Sequence, residues 1–145
     1  MLMRWFKAKQ ESPDKDGRSE LHYAALENDV NRARKLISAG ADVNAQDKGG
    51  WTPLHAAAQG NSFDTAVLLL ESGAKIDLQD GHGNTPLFRA VFSYKNDGRV
   101  IELLRKHGAD AFSKNRHGQT PIGLARLIAN YDVAKFFADL QEEKR

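Results

Sequence analysis

The sequence contains no cysteine, which excludes a disulfide framework, an iron–sulfur cluster, a thiolate zinc site and a cysteine nucleophile together. Long apolar runs are missing as well. The longest uninterrupted one, Ala66 to Leu70, falls far short of the ~20 residues that a membrane-spanning helix needs. The opening stretch Met1 to Lys9 mixes Met3, Trp5 and Phe6 with Arg4, Lys7 and Lys9. It has neither the apolar core of ~7–15 residues nor the small-residue cleavage site of a secretion signal, so the expected location is the cytoplasm. A strong charge of either sign is lacking too. With 21 Lys plus Arg against 19 Asp plus Glu the net charge is +2, well below the basic excess of a dedicated nucleic-acid binder. What is present, 145 residues with 41% hydrophobic and 28% charged side chains, is ordinary globular composition and enough for one modest core.

Within that composition lies a repeat. Gly17, Gly50, Gly83 and Gly118 are spaced by 33, 33 and 35 residues, and Leu21, Leu54, Leu87 and Ile122 follow at the same spacings. A third column, Gly40-Ala41-Asp42, Gly73-Ala74-Lys75 and Gly108-Ala109-Asp110, agrees with both. A period in this range is the signature of a stacked-repeat architecture. Thr52-Pro53, Thr85-Pro86 and Thr120-Pro121 each place a capping hydroxyl before a proline at the first helical position, where its missing N–H costs nothing. Small residues such as Ala56, Ala57 and Ala58 follow, then turn chemistry at Gly60-Asn61 or Asn28-Asp29. A second helix is expected from the apolar spacing of Ala33, Leu36 and Ile37, or of Ala66, Leu69 and Leu70, ending at Gly40 or Gly73. The linking segments, Asp42 to Gly50 among them, read as hairpins. The expected fold is therefore an all-α solenoid of four helix-turn-helix units joined by hairpin loops.

Thr52-Pro53-Leu54-His55-Ala56-Ala57 resembles the Thr-Pro-Leu-His-x-Ala motif of the ankyrin repeat family, and the 33-residue period is that family's. The resemblance covers residues 14 to about 140. It divides the chain into an N-terminal extension at 1–13, repeat one at 14–46 as N-terminal cap, repeat two at 47–79, repeat three at 80–114 with two extra residues, and repeat four at 115–145 as C-terminal cap. Departures from the motif mark particular places. Ser19-Glu20 replaces Thr-Pro in repeat one, Phe88 and Gly123 stand at the His position of repeats three and four, and the extra residues fall between Tyr94 and Arg99. In the extension, Met3, Trp5 and Phe6 are expected to cover the open side of repeat one, and the charged segment 141–145 to keep the far end of the stack soluble.

Candidate chemistry is sparse. His22, His55, His82, His107 and His117 are too dispersed for the His-Glu-x-x-His spacing that sets two metal ligands on one helical face. The resemblance implies that His22 and His55 tie neighbouring units through backbone hydrogen bonds. Gly81-His82-Gly83-Asn84-Thr85-Pro86 begins like a dinucleotide fingerprint but has Pro86 at the third glycine. No phosphate loop and no Gly-x-Ser-x-Gly nucleophile elbow occurs, and Asp14, Asp47 and Asp80 recur at the repeat period as turn residues should. No enzyme activity, no cofactor, no metal, no small-molecule substrate and no membrane contact are expected. Repeat three is the most basic unit, yet Arg89, Lys95, Arg99, Arg105, Lys106 and Lys114 are offset by Asp80, Asp97, Glu102 and Asp110. Nucleic-acid binding is not expected, since it needs clustered cations.

What the family resemblance implies instead is protein binding through a concave face of hairpin tips and first helices. Mapped onto this chain, that face comprises Lys15, Asp16, Arg18, Lys48, Trp51, His82, Asn84, Arg116, His117 and Gln119 on the hairpins. Gln59, Phe92 and Tyr94 follow on or just beyond the inner helices, with Leu26, Glu27 and Ser93 beside them. Trp51 stands out because Arg18, Asn84 and Gln119 occupy its position in the sibling units. It either anchors an interface, as buried aromatics do, or folds over a neighbouring hairpin. Phe92 and Tyr94 carry the same pair of readings. The small free-standing form resembles ankyrin proteins of bacteria, which suggests an immunity protein that neutralises a toxin, or else an adaptor or regulatory subunit of an enzyme.

Overall fold

The computed structural model describes residues 13–128 and 132–140. The expectations for Met3, Trp5 and Phe6 and for segment 141–145 lie outside the described residues. Within them the order is α1 Glu20–Leu26, α2 Val30–Ser38, α3 Pro53–Gln59, α4 Phe63–Glu71, α5 Pro86–Phe92, α6 Arg99–Lys106 and α7 Pro121–Leu127, followed by a 3-10 helix at Val133–Phe137. No strand forms among the described residues. Each hairpin is a turn closed by backbone hydrogen bonds, as where the Asp47 N–H donates to the Trp51 carbonyl at 2.9 Å.

The inner helices start where the hydroxyls are. Ser19, Thr52, Thr85 and Thr120 each accept from the backbone N–H three residues on, and proline occupies the first turn of α3, α5 and α7. Helices of seven residues have little stability alone, so packing must hold them. It does so in two rows. Each of α1, α3, α5 and α7 packs on the next, each of α2, α4 and α6 does the same, and the two helices of a unit pack on each other. Leu21, Leu54, Leu87 and Ile122 form a buried column through the inner row, and Leu36, Leu69 and Leu104 form another through the outer row. Each such side chain contributes ~2 kcal/mol by leaving water. The alanines between them, Ala24, Ala25, Ala57 and Ala58, are also buried and set the close spacing.

Repeat four departs from this pattern. Its outer position is filled by the short 3-10 helix, not an α-helix, and that helix packs against α7. Val133 and Phe137 enter the core. The adjacent Phe136 turns instead toward the longer connection of repeat three, where Tyr94 meets it edge-on with ring centroids 5.6 Å apart. Gly98 leaves room for that ring, since a Cβ at that position would push the far end of the Phe136 side chain aside. Arg105 clamps the same segment by donating to the Phe136 carbonyl at 2.8 Å and to both Asp139 carboxylate oxygens.

Candidate protein-binding face

The hairpin tips are built by one device used four times. The Oδ1 atoms of Asp14, Asp47, Asp80 and Asn115 each accept two backbone N–H groups, those two and four residues further on. A carboxylate or amide in this role shapes the turn without help from a strand. Successive tips are then joined by Lys48 N–H to Asp16 O at 2.9 Å, Gly81 N–H to Gly49 O at 2.7 Å, and Arg116 N–H to His82 O at 3.0 Å.

Two histidines join the tips to the inner helices. His55 Nδ1 accepts the Thr52 N–H at 3.1 Å, so the proton sits on Nε2, which donates to the Asn84 carbonyl of the next unit at 2.8 Å. His22 repeats this with Ser19 N–H and the Trp51 carbonyl. Burial holds the His55 imidazole below the ordinary histidine pKa, because a charge there would have no water around it. Both rings are thus committed to the fold as single-tautomer hydrogen-bond bridges.

Of the residues expected on the face, Lys15, Asp16, Arg18, Lys48, Gln59, His82, Phe92, Arg116, His117 and Gln119 are exposed, and Trp51 is half-buried. Asn84 and Tyr94 are not on the surface. Asn84 is only 8% exposed, because the neighbouring tip covers it and Asn115 Nδ2 donates to its Oδ1 at 2.9 Å. Tyr94 is 6% exposed. Its ring is committed to Phe136 and its hydroxyl donates to Asp132 Oδ1, so neither of these two side chains can meet a partner. Trp51 stacks on His55 at 6.1 Å between centroids, and the Arg89 guanidinium of the next unit lies over its ring at 5.0 Å.

Sequence reasoning missed two members of the face. The large hydrophobic residues left exposed among the described residues are Leu26, Phe92 and Leu127, and all three occupy one register position at the ends of α1, α5 and α7. Leu127 was legible as the residue 35 after Phe92. The other is Arg89, read in the sequence only as part of a basic count. Its guanidinium lies 5.0 Å from the ring centroids of both Trp51 and Phe92. The signal for the second contact was the i,i+3 spacing of Arg89 and Phe92 on a helix.

Shallow grooves flank this aromatic ridge. One of about 400 Å³ is lined by Leu26, Trp51, Ala56 and Gln59, and one of about 350 Å³ by His82, Arg89, Phe92 and His117. A larger depression of about 510 Å³ lies beside α7 between Phe112, Ile122 and Leu127. Among the described residues no group of three or more His, Asp or Glu side chains converges as a metal site, and no helix is long and apolar enough to cross a membrane.

A family model described as ankyrin repeats (3 copies) matches residues 2–80 and residues 21–115. No curated protein matches the chain.

Proposed function

The chain belongs to the ankyrin repeat family, and from that premise we propose that it is a non-catalytic module which binds another protein through its inner-helix and hairpin face. One observation carries the reading. Leu26, Phe92 and Leu127, the exposed large hydrophobics among the described residues, fall at one repeat position. Exposed apolar side chains scattered at random need no explanation, but a row of them on one face marks an interaction surface. The half-buried Trp51 and the exposed tips with Lys15, Asp16, Arg18, Lys48, His82, Arg116, His117 and Gln119 border this row and supply the polar rim that such interfaces have. Covering a toxin requires only a face of this kind, so neutralisation of a toxin is the role taken first, with an enzyme's adaptor second.

The test follows the face. A partner captured from the native cytosol is titrated by calorimetry against Trp51→Ala and Phe92→Ala, each expected to weaken binding by roughly 2 kcal/mol. Changes at Glu71 or Lys75, at the end of outer helix α4 and beyond, should leave affinity unchanged. Phe92→Ala is the cleaner variant, since its side chain is 61% exposed and its circular dichroism spectrum should match the wild type. A loss confined to the outer-helix variants would move the interface to the opposite face. For the toxin role, co-expression should rescue growth with the wild type and poorly with Phe92→Ala.

A further inference from the structure

The tip carboxylates reveal an asymmetry. Each uses Oδ1 in its own turn, and the second atom finds a partner in three of the four tips. Asp14 Oδ2 accepts from the Tyr23 hydroxyl, Asp47 Oδ2 lies 3.7 Å from Arg18 Nε, and Asn115 Nδ2 donates to Asn84. Asp80 Oδ2 is buried and has none. The cause is local. Trp51 stands where Arg18 stands one unit earlier, and an indole over this tip supplies no cation.

Arg89 sits at the register of Tyr23, the residue that bonds its own tip in repeat one. Arg89 does not repeat that contact. Its Nε is buried without a hydrogen bond, and no ion pair forms to its guanidinium among the described residues. Two aromatic faces hold it instead, each 5.0 Å away. Desolvation disfavours its charge, with Asp80 opposing that effect. A planar cation held against two rings and lining a groove with His82 and His117 is suited to binding a carboxylate through two parallel hydrogen bonds.

We propose that Arg89 is the recognition residue for a carboxylate side chain on an acidic, partly apolar segment of the protein partner, seated between Trp51 and Phe92. This rests on the protein-binding reading above and names the partner's chemistry. Charge complementarity supports it: Lys15, Arg18, Lys48 and Arg116 are exposed along the tips against Asp14 and Asp16. The exposed Phe92 beside Arg89, with the exposed Leu26 at the same register two units away, suits spaced leucine-like side chains of a peptide. It offers nothing to a sugar–phosphate backbone, which favours a protein segment over a nucleic acid.

The probe is a short end-blocked peptide alternating glutamate and leucine, compared with its glutamine counterpart on the full chain. The Arg89 Nε–H resonance and Trp51 fluorescence report binding. The acidic peptide should shift the resonance and quench or enhance the indole, and both the glutamine peptide and Arg89→Gln should bind at least about tenfold more weakly. Arg89→Lys, which keeps the charge but loses the plane, should fall with Arg89→Gln. Equal binding of the two peptides, or wild-type affinity for Arg89→Gln, overturns the proposal, as does a single-stranded oligothymidylate that moves the resonance when the acidic peptide does not. Affinity for the captured partner that survives Arg89→Gln but is lost in Phe92→Ala refutes the carboxylate while leaving the face intact. Loss in neither variant refutes both.

Discussion

The junctions between repeats one, two and three carry a repeated histidine bridge, and the junction between repeats three and four does not. At the first two, a buried imidazole bridges the N-cap of its own helix to the next tip. At the third, Phe88 occupies the histidine position, and contacts that occur once stand in for the bridge. Tyr94 on Phe136, Arg105 on the Phe136 carbonyl and Asp139, and Phe137 in the core join the last unit to its neighbour. The difference teaches how one junction of a stack departs from the others. Where successive units repeat the same tip and inner helix, one hydrogen bond can be reused, whereas repeat four, whose outer arm is a 3-10 helix, is joined by aromatic and ionic contacts of its own.

The largest test strikes the terminal junction. Phe137 is 1% exposed, and Phe137→Ala should cost ~3–5 kcal/mol through lost transfer energy and the cavity left behind, read as a shift of the urea midpoint. Amide exchange should rise in α7 and α6 well before α1. A loss below ~1 kcal/mol would show that the once-only contacts carry little and would break the comparison.

Next in size is a paired glycine test. Gly50 has φ of +85°, and a Cβ there would lie 2.7 Å from the Gly81 nitrogen of the next tip. Gly118 has φ of +77° with nothing within 4 Å. Gly50→Ala should therefore combine left-handed strain with a backbone clash, about 3 kcal/mol, and Gly118→Ala strain alone, about 1 kcal/mol. Equal midpoints would mean that the tips do not stack as tightly as this spacing requires.

A smaller effect is expected at the interior tie. His55→Ala leaves the Thr52 N–H and the Asn84 carbonyl without their partner, a loss of ~2 kcal/mol measurable by the same denaturation. The pH dependence sharpens this further. The folded pKa of His55 lies below its unfolded value of 6.5, so at moderately acidic pH the unfolded chain binds a proton that the folded chain refuses. The His55 contribution is complete above about pH 6.5 and is lost as the pH falls from there through the folded pKa. The slope of stability against pH in that window should flatten in His55→Ala, and an unchanged slope would show that another group titrates there.

Legibility followed range. The caps at Thr52, Thr85 and Thr120 and the columns beginning at Leu21 and Leu36 were readable because a hydroxyl, a proline and an apolar spacing act within a few residues of themselves. The candidate face was readable as a set of positions, but not as a set of accessible side chains. Asn84 and Tyr94 hold the same registers as exposed residues elsewhere, yet one lies under the Asn115 tip and the other under Phe136. Nothing within their own repeat signals that cover.

By itself, then, the sequence determined the period, the helix starts, the buried columns and the family, since each depends on local hydrogen bonding and on a pattern repeated often enough to identify itself. Only the tertiary structure decided which members of a register face solvent, that the last outer arm is a 3-10 helix, and that Arg89 lies between Trp51 of the preceding unit and Phe92 of its own. Those outcomes depend on which side chains successive units bring within a few ångströms of one another, and on the cost of leaving a polar or charged group without a partner once they do.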